Sequence, residues 1–152
     1  MLLPAKRFAE EQSMNKGHLL HPDIAHLVTQ LGHFETLTIA DAGLPIPPTL
    51  TRIDLALTQG VPSFQQVSEV VATAMQIQTA HIAEEIVEHN PQAHQQLLAL
   101  IDRVSVEQEQ QVEVFYLSHD RFKSLTHQSR AVIRTGECTP YANVIFTAGV
   151  TF

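Results

Sequence analysis

Along this chain the hydrophobic period switches repeatedly between about 3.6 and about 2 residues, and Pro or Gly stands at most of the switches. Ile24, Leu27, Val28 and Leu31 share one helical face, with Pro22 in the first turn and Gly32 as the stop. Thr36-Leu37-Thr38-Ile39-Ala40 is a β-type run, ended by Asp41-Ala42-Gly43 and kept from resuming by Pro45, Pro47 and Pro48. Ile53, Leu55 and Leu57 alternate as a second strand, which Gly60-Val61-Pro62 breaks. Ser63 can N-cap a helix whose apolar face is Phe64, Val67, Val70, Val71 and Ala74. Residues 75–83 fit either a strand or a continuation of that helix. Asn90-Pro91 opens another helix, with Leu97, Leu98, Ile101 and Val104 on its face. Val112, Val114 and Tyr116 alternate as a strand, Ser118 can cap a short helix carrying Phe122 and Leu125, and 131–134 and 144–146 read as two late strands. The order α-β-β-α-β-α-β-α-β-β predicts an α/β fold layered around a partly parallel sheet, with no internal boundary.

At 152 residues the chain suits one domain with its own core. Its single Cys excludes an intrachain disulfide and a Cys-built zinc site. Lys and Arg number 9 against 16 Asp and Glu, a net charge of −7 that argues against nucleic acid and anionic membrane surfaces as partners. No run approaches the roughly 18 apolar residues of a membrane span. The first residues lack the apolar centre and cleavage site of a signal peptide, so the expected compartment is the cytoplasm. Residues 1–13 differ in character from the rest of the chain, and a second Met stands at position 14; an extension or leader over 1–13 and a domain over 14–152 are expected. Charged residues make up 16%, against about 25% in an average domain, which hints at surface hidden in an oligomer.

The 9 His are the compositional feature closest to chemistry, because imidazole titrates near neutral pH. Open α/β sheets bind ligands beyond the carboxyl ends of their strands. Asp41 and His119 each follow a predicted strand, and His33 follows Gly32 just before the Asp41 strand. His18, His21 and His26 have irregular spacing and read as a wet helix entry. His81, His89 and His94 read as helix-surface residues, Glu84, Glu85 and Glu88 as a solvated face, and residues 107–111 as an exposed loop. Cys138 reads as buried apolar filler rather than a nucleophile. No Gly-rich phosphate fingerprint is present.

The residue blocks themselves go further. Leu31-Gly32-His33 followed by Asp41-Ala42-Gly43-Leu44-Pro45-Ile46-Pro47 resembles the start of the ribose pyranase / fucose mutarotase family. The run from Ala131 through Gly136-Glu137-Cys138-Thr139-Pro140-Tyr141-Ala142-Asn143 to Phe152 resembles its end, and the likeness covers 14–152. Thr51-Arg52-Ile53-Asp54, with Thr58-Gln59-Gly60-Val61-Pro62-Ser63-Phe64, is similar to the ribose branch rather than the fucose branch. The resemblance implies a three-layer α/β/α domain with a mixed sheet. It also implies a homodecamer of two stacked five-membered rings, with active sites near subunit contacts.

The implied activity is interconversion of the β-pyranose and β-furanose forms of D-ribose. His33 matches the proton donor, Asp41, His119, Tyr141, Ala142 and Asn143 match sugar-binding positions, and Lys123 resembles a further contact. Opening a cyclic hemiacetal moves protons and breaks one C–O bond, so neither metal nor cofactor is expected. A His can give and take the protons, and Asp41 could orient it or accept sugar hydroxyls. Two other functions stay open: an anomer mutarotase of the fucose type, and a non-catalytic ribose-binding accessory protein of a transport system.

Overall fold

The structure is a computed structural model that describes residues 16–152. The expected leader over 1–13 and the domain start at Met14 lie outside the described residues. In chain order the elements are α1 (Pro22–Gln30), β1 (Thr36–Ala40), β2 (Arg52–Asp54), α2 (Phe64–Thr73), β3 (Ile77–Ala83), α3 (Ile86–His89), α4 (Pro91–Glu107), β4 (Glu113–Leu117), α5 (His119–Thr126), β5 (Val132–Arg134) and β6 (Val144–Ala148). This is the expected order with the short α3 added. Residues 75–83, open between helix and strand, supply β3.

Local chemistry sets the helix starts. Ser63 Oγ accepts from the Gln66 N–H at 3.0 Å while Gln66 Oε1 accepts from the Ser63 N–H at 2.8 Å, a full capping box. Asn90 and Ser118 cap α4 and α5 in the same sense, each accepting a main-chain N–H three residues on. Pro22 and Pro91 stand in first turns, where a missing N–H costs nothing.

The strands form one six-stranded sheet in the order β2-β5-β1-β6-β3-β4. β1, β5 and β2 pair in parallel, as do β3 and β4, while β6 runs antiparallel between β1 and β3. The carboxyl ends of β1 to β5 and the start of β6 therefore share one edge.

On one face, Leu37, Ile39, Ile133 and Phe146 pack against Ile24 and Leu27 of α1, Val67 and Val71 of α2, and Leu97, Ile101 and Val104 of α4. On the other, Ala40, Ala83, Val132 and Ile145 pack against Phe122 of α5. Alternation along β1 and β6 sends successive side chains to opposite layers, which gives the three-layer α/β/α architecture with a mixed sheet. Each large side chain removed from water here contributes about 1.5–3 kcal/mol.

Three sequence expectations need adjustment. β2 ends at Asp54, because the Leu57 N–H turns back to the Val61 carbonyl at 3.0 Å and leaves Leu57 80% exposed. In α2 the buried stripe is Phe64, Val67, Ser68, Val71 and Ala72, so Ala74 is exposed and Val70 only half-buried. In α4, Leu100 is buried in the place expected for Leu98.

The segment after β2 is stitched to the segment after β5. The Gly136 N–H donates to the Pro62 carbonyl at 2.8 Å, and its carbonyl accepts from the Gly60 N–H at 2.6 Å. A Cβ at position 136 would collide with the Val61 carbonyl oxygen and stand 2.7 Å from that of Thr58. Gly136→Ala is therefore expected to cost about 1–3 kcal/mol through forced backbone displacement, measured by urea unfolding.

Candidate active site

β1 delivers Asp41 to the shared sheet edge, and the turn after it fixes the carboxylate. Asp41 Oδ1 accepts from the Gly43 N–H at 3.0 Å. Asn143, fully buried at the start of β6, takes the Asp41 N–H on Oδ1 at 2.7 Å and donates from Nδ2 to Asp41 Oδ2 at 3.2 Å. Both ends of the Asn143 amide thus engage one residue. Burial pushes the Asp41 pKa above the usual carboxylate range, and the hydrogen bonds from Gly43, Asn143 and Leu44 and the charge of His119 pull back against it.

The raised Asp41 pKa makes stability depend on pH, since folding favours the protonated acid. Its stabilising contribution is fully present below the ordinary value of 3.8 and is lost as pH rises through the folded value. Asp41→Asn removes this dependence. Melting temperatures should therefore shift in favour of the variant as pH is raised from acid toward neutrality, checked by calorimetry across a pH series.

β4 and Ser118 deliver His119 to the same edge, at the first residue of α5. Glu85 accepts the His119 N–H with Oε1 at 3.0 Å and Oε2 at 3.2 Å, a carboxylate on a helix N-terminus. The His119 ring meets the edge of Tyr141 with centroids 5.0 Å apart and lies parallel to Phe122 at 6.3 Å. Its Nδ1 is buried and has no hydrogen-bond partner. Lys123, one turn further along α5, pairs with Asp120 at 3.4 Å.

Tyr141 adopts φ 58°, a left-handed conformation that costs a non-glycine residue about 1–2 kcal/mol. Asn90 and the local turn hold it there. Asn90 Nδ2 donates to Thr139 Oγ1 at 2.9 Å and to the Pro140 carbonyl at 2.8 Å, and the Asn143 N–H closes onto the Tyr141 carbonyl at 2.9 Å. Ala142 is fully buried beneath it. Glu137 ties the surroundings together: its carbonyl takes the Ala42 N–H at 2.7 Å, and its carboxylate takes the Phe64 N–H at 3.0 Å and the Thr139 hydroxyl at 2.6 Å.

Asp41, His119, Tyr141, Ala142 and Asn143 are therefore brought together at one sheet edge. His33 is not with them. It lies before β1, at the opposite edge, where the Phe34 N–H donates to the Ala148 carbonyl at the end of β6 and His33 Nε2 bonds Gln78 Oε1 at 2.7 Å. The length of β1 separates His33 from Asp41, roughly 15 Å at about 3.3 Å per residue. The expectation that Asp41 orients His33 is therefore corrected for a single chain: Asp41 answers to Asn143 and His119.

Other sequence readings also change. Glu85 is not part of a solvated face but holds His119. His89 is not a bystander on a helix surface, since its ring lies 5.6 Å from Tyr141. His81 sits on a strand and stacks on Phe115 at 5.2 Å. Cys138 is exposed rather than buried. For Glu85, Asn90 and Glu137 the decisive contacts are tertiary, and only the N-cap role of Asn90 has a local signal.

Fold and site together define a mixed α/β/α domain that gathers a carboxylate, an imidazole, a phenol and an amide at the carboxyl edge of its sheet. Residues 14–151 match the RbsD / FucU transport protein family, and the chain belongs to that family. A relative from Yersinia enterocolitica named D-ribose pyranase is 55% identical over 139 residues, which cover 91% of this chain and 100% of the relative. A Yersinia pestis protein of the same name matches to the same extent. The structure of Bacillus subtilis RbsD complexed with D-ribose is 43% identical with a TM-score of 0.81, covering 91% of this chain and 100% of that one. The Streptococcus pneumoniae fucose mutarotase in complex with L-fucose shares the fold at 19% identity and a TM-score of 0.70, over 91% of this chain and 98% of that one.

Proposed function

We propose that this protein is a D-ribose pyranase, an isomerase that interconverts the β-pyranose and β-furanose forms of D-ribose. The observation that carries the chemistry is the half-buried Asp41, clamped by Asn143, beside the His119 ring. The choice of sugar rests on the relatives of that name, whose full length the chain matches.

In the forward step the anomeric hydroxyl loses its proton, the C1–O5 bond breaks, and O5 takes up a proton as C1 becomes an aldehyde. In the return step O4 adds to C1, releases its proton, and the carbonyl oxygen is protonated. Nothing is oxidised, and the proton count closes over the cycle. We assign proton delivery to the ring oxygen to His33, hydroxyl recognition to Asp41 and the His119 imidazole, and the apolar C–H face of the sugar to the Tyr141 ring. Asn143 and Ala142 support that surface, with Asn143 aligning Asp41.

Since β1 keeps His33 and Asp41 apart, the complete site in this reading pairs the Asp41 edge of one copy with the His33 of another. The reading places the protein in the cytoplasm as a homodecamer of two five-membered rings. Sparse charge and exposed apolar side chains support an assembly: Phe34 is 64%, Phe115 45% and Tyr116 44% exposed. Among the described residues no helix is long and apolar enough to cross a membrane.

Exchange spectroscopy by NMR on equilibrated D-ribose tests the activity. Accelerated pyranose–furanose exchange is expected. Acceleration confined to the anomers of fucose would point to an anomer mutarotase, and binding without acceleration to an accessory binding protein.

A further inference from the structure

The His33 ring makes two side-chain contacts that could fix it. It stacks on Phe34 with centroids 3.7 Å apart and planes 14° from parallel, and Phe34 holds that position at φ 74°, in the left-handed region. Its Nε2 bonds Gln78 Oε1 at 2.7 Å. With the Gln78 carbonyl oxygen turned toward the ring, Nε2 is the nitrogen that donates and Nδ1 the one left to exchange a proton.

Gln78 reaches His33 because β3 is irregular there. The pairing with β6 steps from Ile77↔Ala148 to Thr79↔Thr147, so two steps on β3 face one on β6 and Gln78 is the additional residue. A bulge of this kind re-aims a side chain and disturbs the ladder around it. The disturbed main chain at Ile77 is rescued from outside the sheet. Gln108, at the end of α4, accepts the Ile77 N–H on Oε1 at 3.0 Å and donates from Nε2 to the Ile77 carbonyl at 2.7 Å. Its amide stands in for a strand partner. Gln76 Nε2 adds a bond to Gln110 Oε1 at 2.9 Å. The run 107–111, read as an exposed loop, is exposed except at Gln108, and through Gln108 and Gln110 it buttresses the bulge.

We propose that Gln78, held on this bulge by Gln108, is a positioning residue that fixes the tautomer and orientation of the His33 ring. The inference rests on the reading of His33 as the proton-transfer group. An amide suits this role because it stays uncharged at every working pH and leaves the ring free to exchange its proton. A carboxylate in its place would instead favour the doubly protonated ring.

Long-range proton–nitrogen correlation spectra of protein labelled in histidine at about pH 8 read the tautomer directly, without substrate. Wild type should show His33 in the Nε2–H form. Gln78→Leu should show a mixture, with the exchange rate lower by about tenfold and ribose affinity unchanged. Gln108→Leu should move in the same direction to a smaller extent. Gln78→Glu keeps an acceptor and should shift the pH–rate profile to higher pH; it decides the matter if the leucine variant does not fold. A Gln78→Leu protein that keeps the Nε2–H form and the wild-type rate overturns the proposal, as does a Gln78→Glu profile identical to wild type. Loss of the pure tautomer together with full activity in His33→Ala would sink the catalytic reading of His33 while leaving Gln78 as the group that orients it.

Discussion

His33→Ala is expected to lower pyranose–furanose exchange of D-ribose by about 10²–10⁴-fold, toward the uncatalysed rate. The size comes from the chemistry. Breaking the C1–O5 bond leaves an alkoxide unless a proton arrives with it, and a positioned imidazole supplies that proton far better than water. The fold should not suffer. His33 is exposed, and the change removes one hydrogen bond to Gln78 and one stack on Phe34. Unfolding free energy should stay within about 0.5 kcal/mol of wild type, the usual range for a surface change. The assembly should sediment as before, and ribose should still bind through the Asp41 edge. Exchange spectroscopy, chemical denaturation and sedimentation read these separately. A variant exchanging at the wild-type rate would remove His33 from the mechanism.

Much of the frame that supports this site is legible in the sequence, and the reasons are local. Ser63, Asn90 and Ser118 cap helices through bonds to residues within the next turn, so their roles can be read from spacing. Asp41 and His119 are legible as strand-end residues because a parallel sheet gathers carboxyl ends on one edge. Tyr141, Ala142 and Asn143 stand out only through family resemblance. They reach that edge because β6 runs against its neighbours, and strand direction is fixed by pairings across the whole chain.

Long-range contacts hide the rest. Glu85 is 34 positions from His119, and Gln108 is 31 from Ile77, so neither can be told by inspection from a side chain that meets only water. Cys138 misleads for a related reason: free thiols are usually buried, but this one lies in the exposed stretch 138–140 between β5 and β6. The most consequential gap concerns His33 and Asp41. Short spacing in sequence suggests neighbours, whereas an extended strand between two residues is the arrangement that keeps them furthest apart.

That separation leads to an outcome that neither single variant can produce. His33→Ala and Asp41→Ala should each be inactive alone, yet their co-expressed mixture should regain activity. If every site draws Asp41 from one copy and His33 from another, random assortment in equal amounts gives an intact pair at about a quarter of the sites. Those sites combine Asp41 from the His33→Ala copies with His33 from the Asp41→Ala copies. The mixture should then exchange ribose at about a quarter of the wild-type rate per subunit, against a near-zero background from either parent. A site contained within one chain predicts the opposite, because every chain in the mixture carries a defect and no reassortment repairs it. Purifying the mixed assembly through tags on both chains and measuring exchange by NMR separates the two cases. Recovery is also graded: tripling the share of either parent lowers the intact fraction symmetrically, as the product of the two fractions requires. A flat, inactive titration would return His33 to its own chain and demand a movement of the 31–35 segment that the β1–β6 pairing, anchored by the Phe34 bond to Ala148, resists.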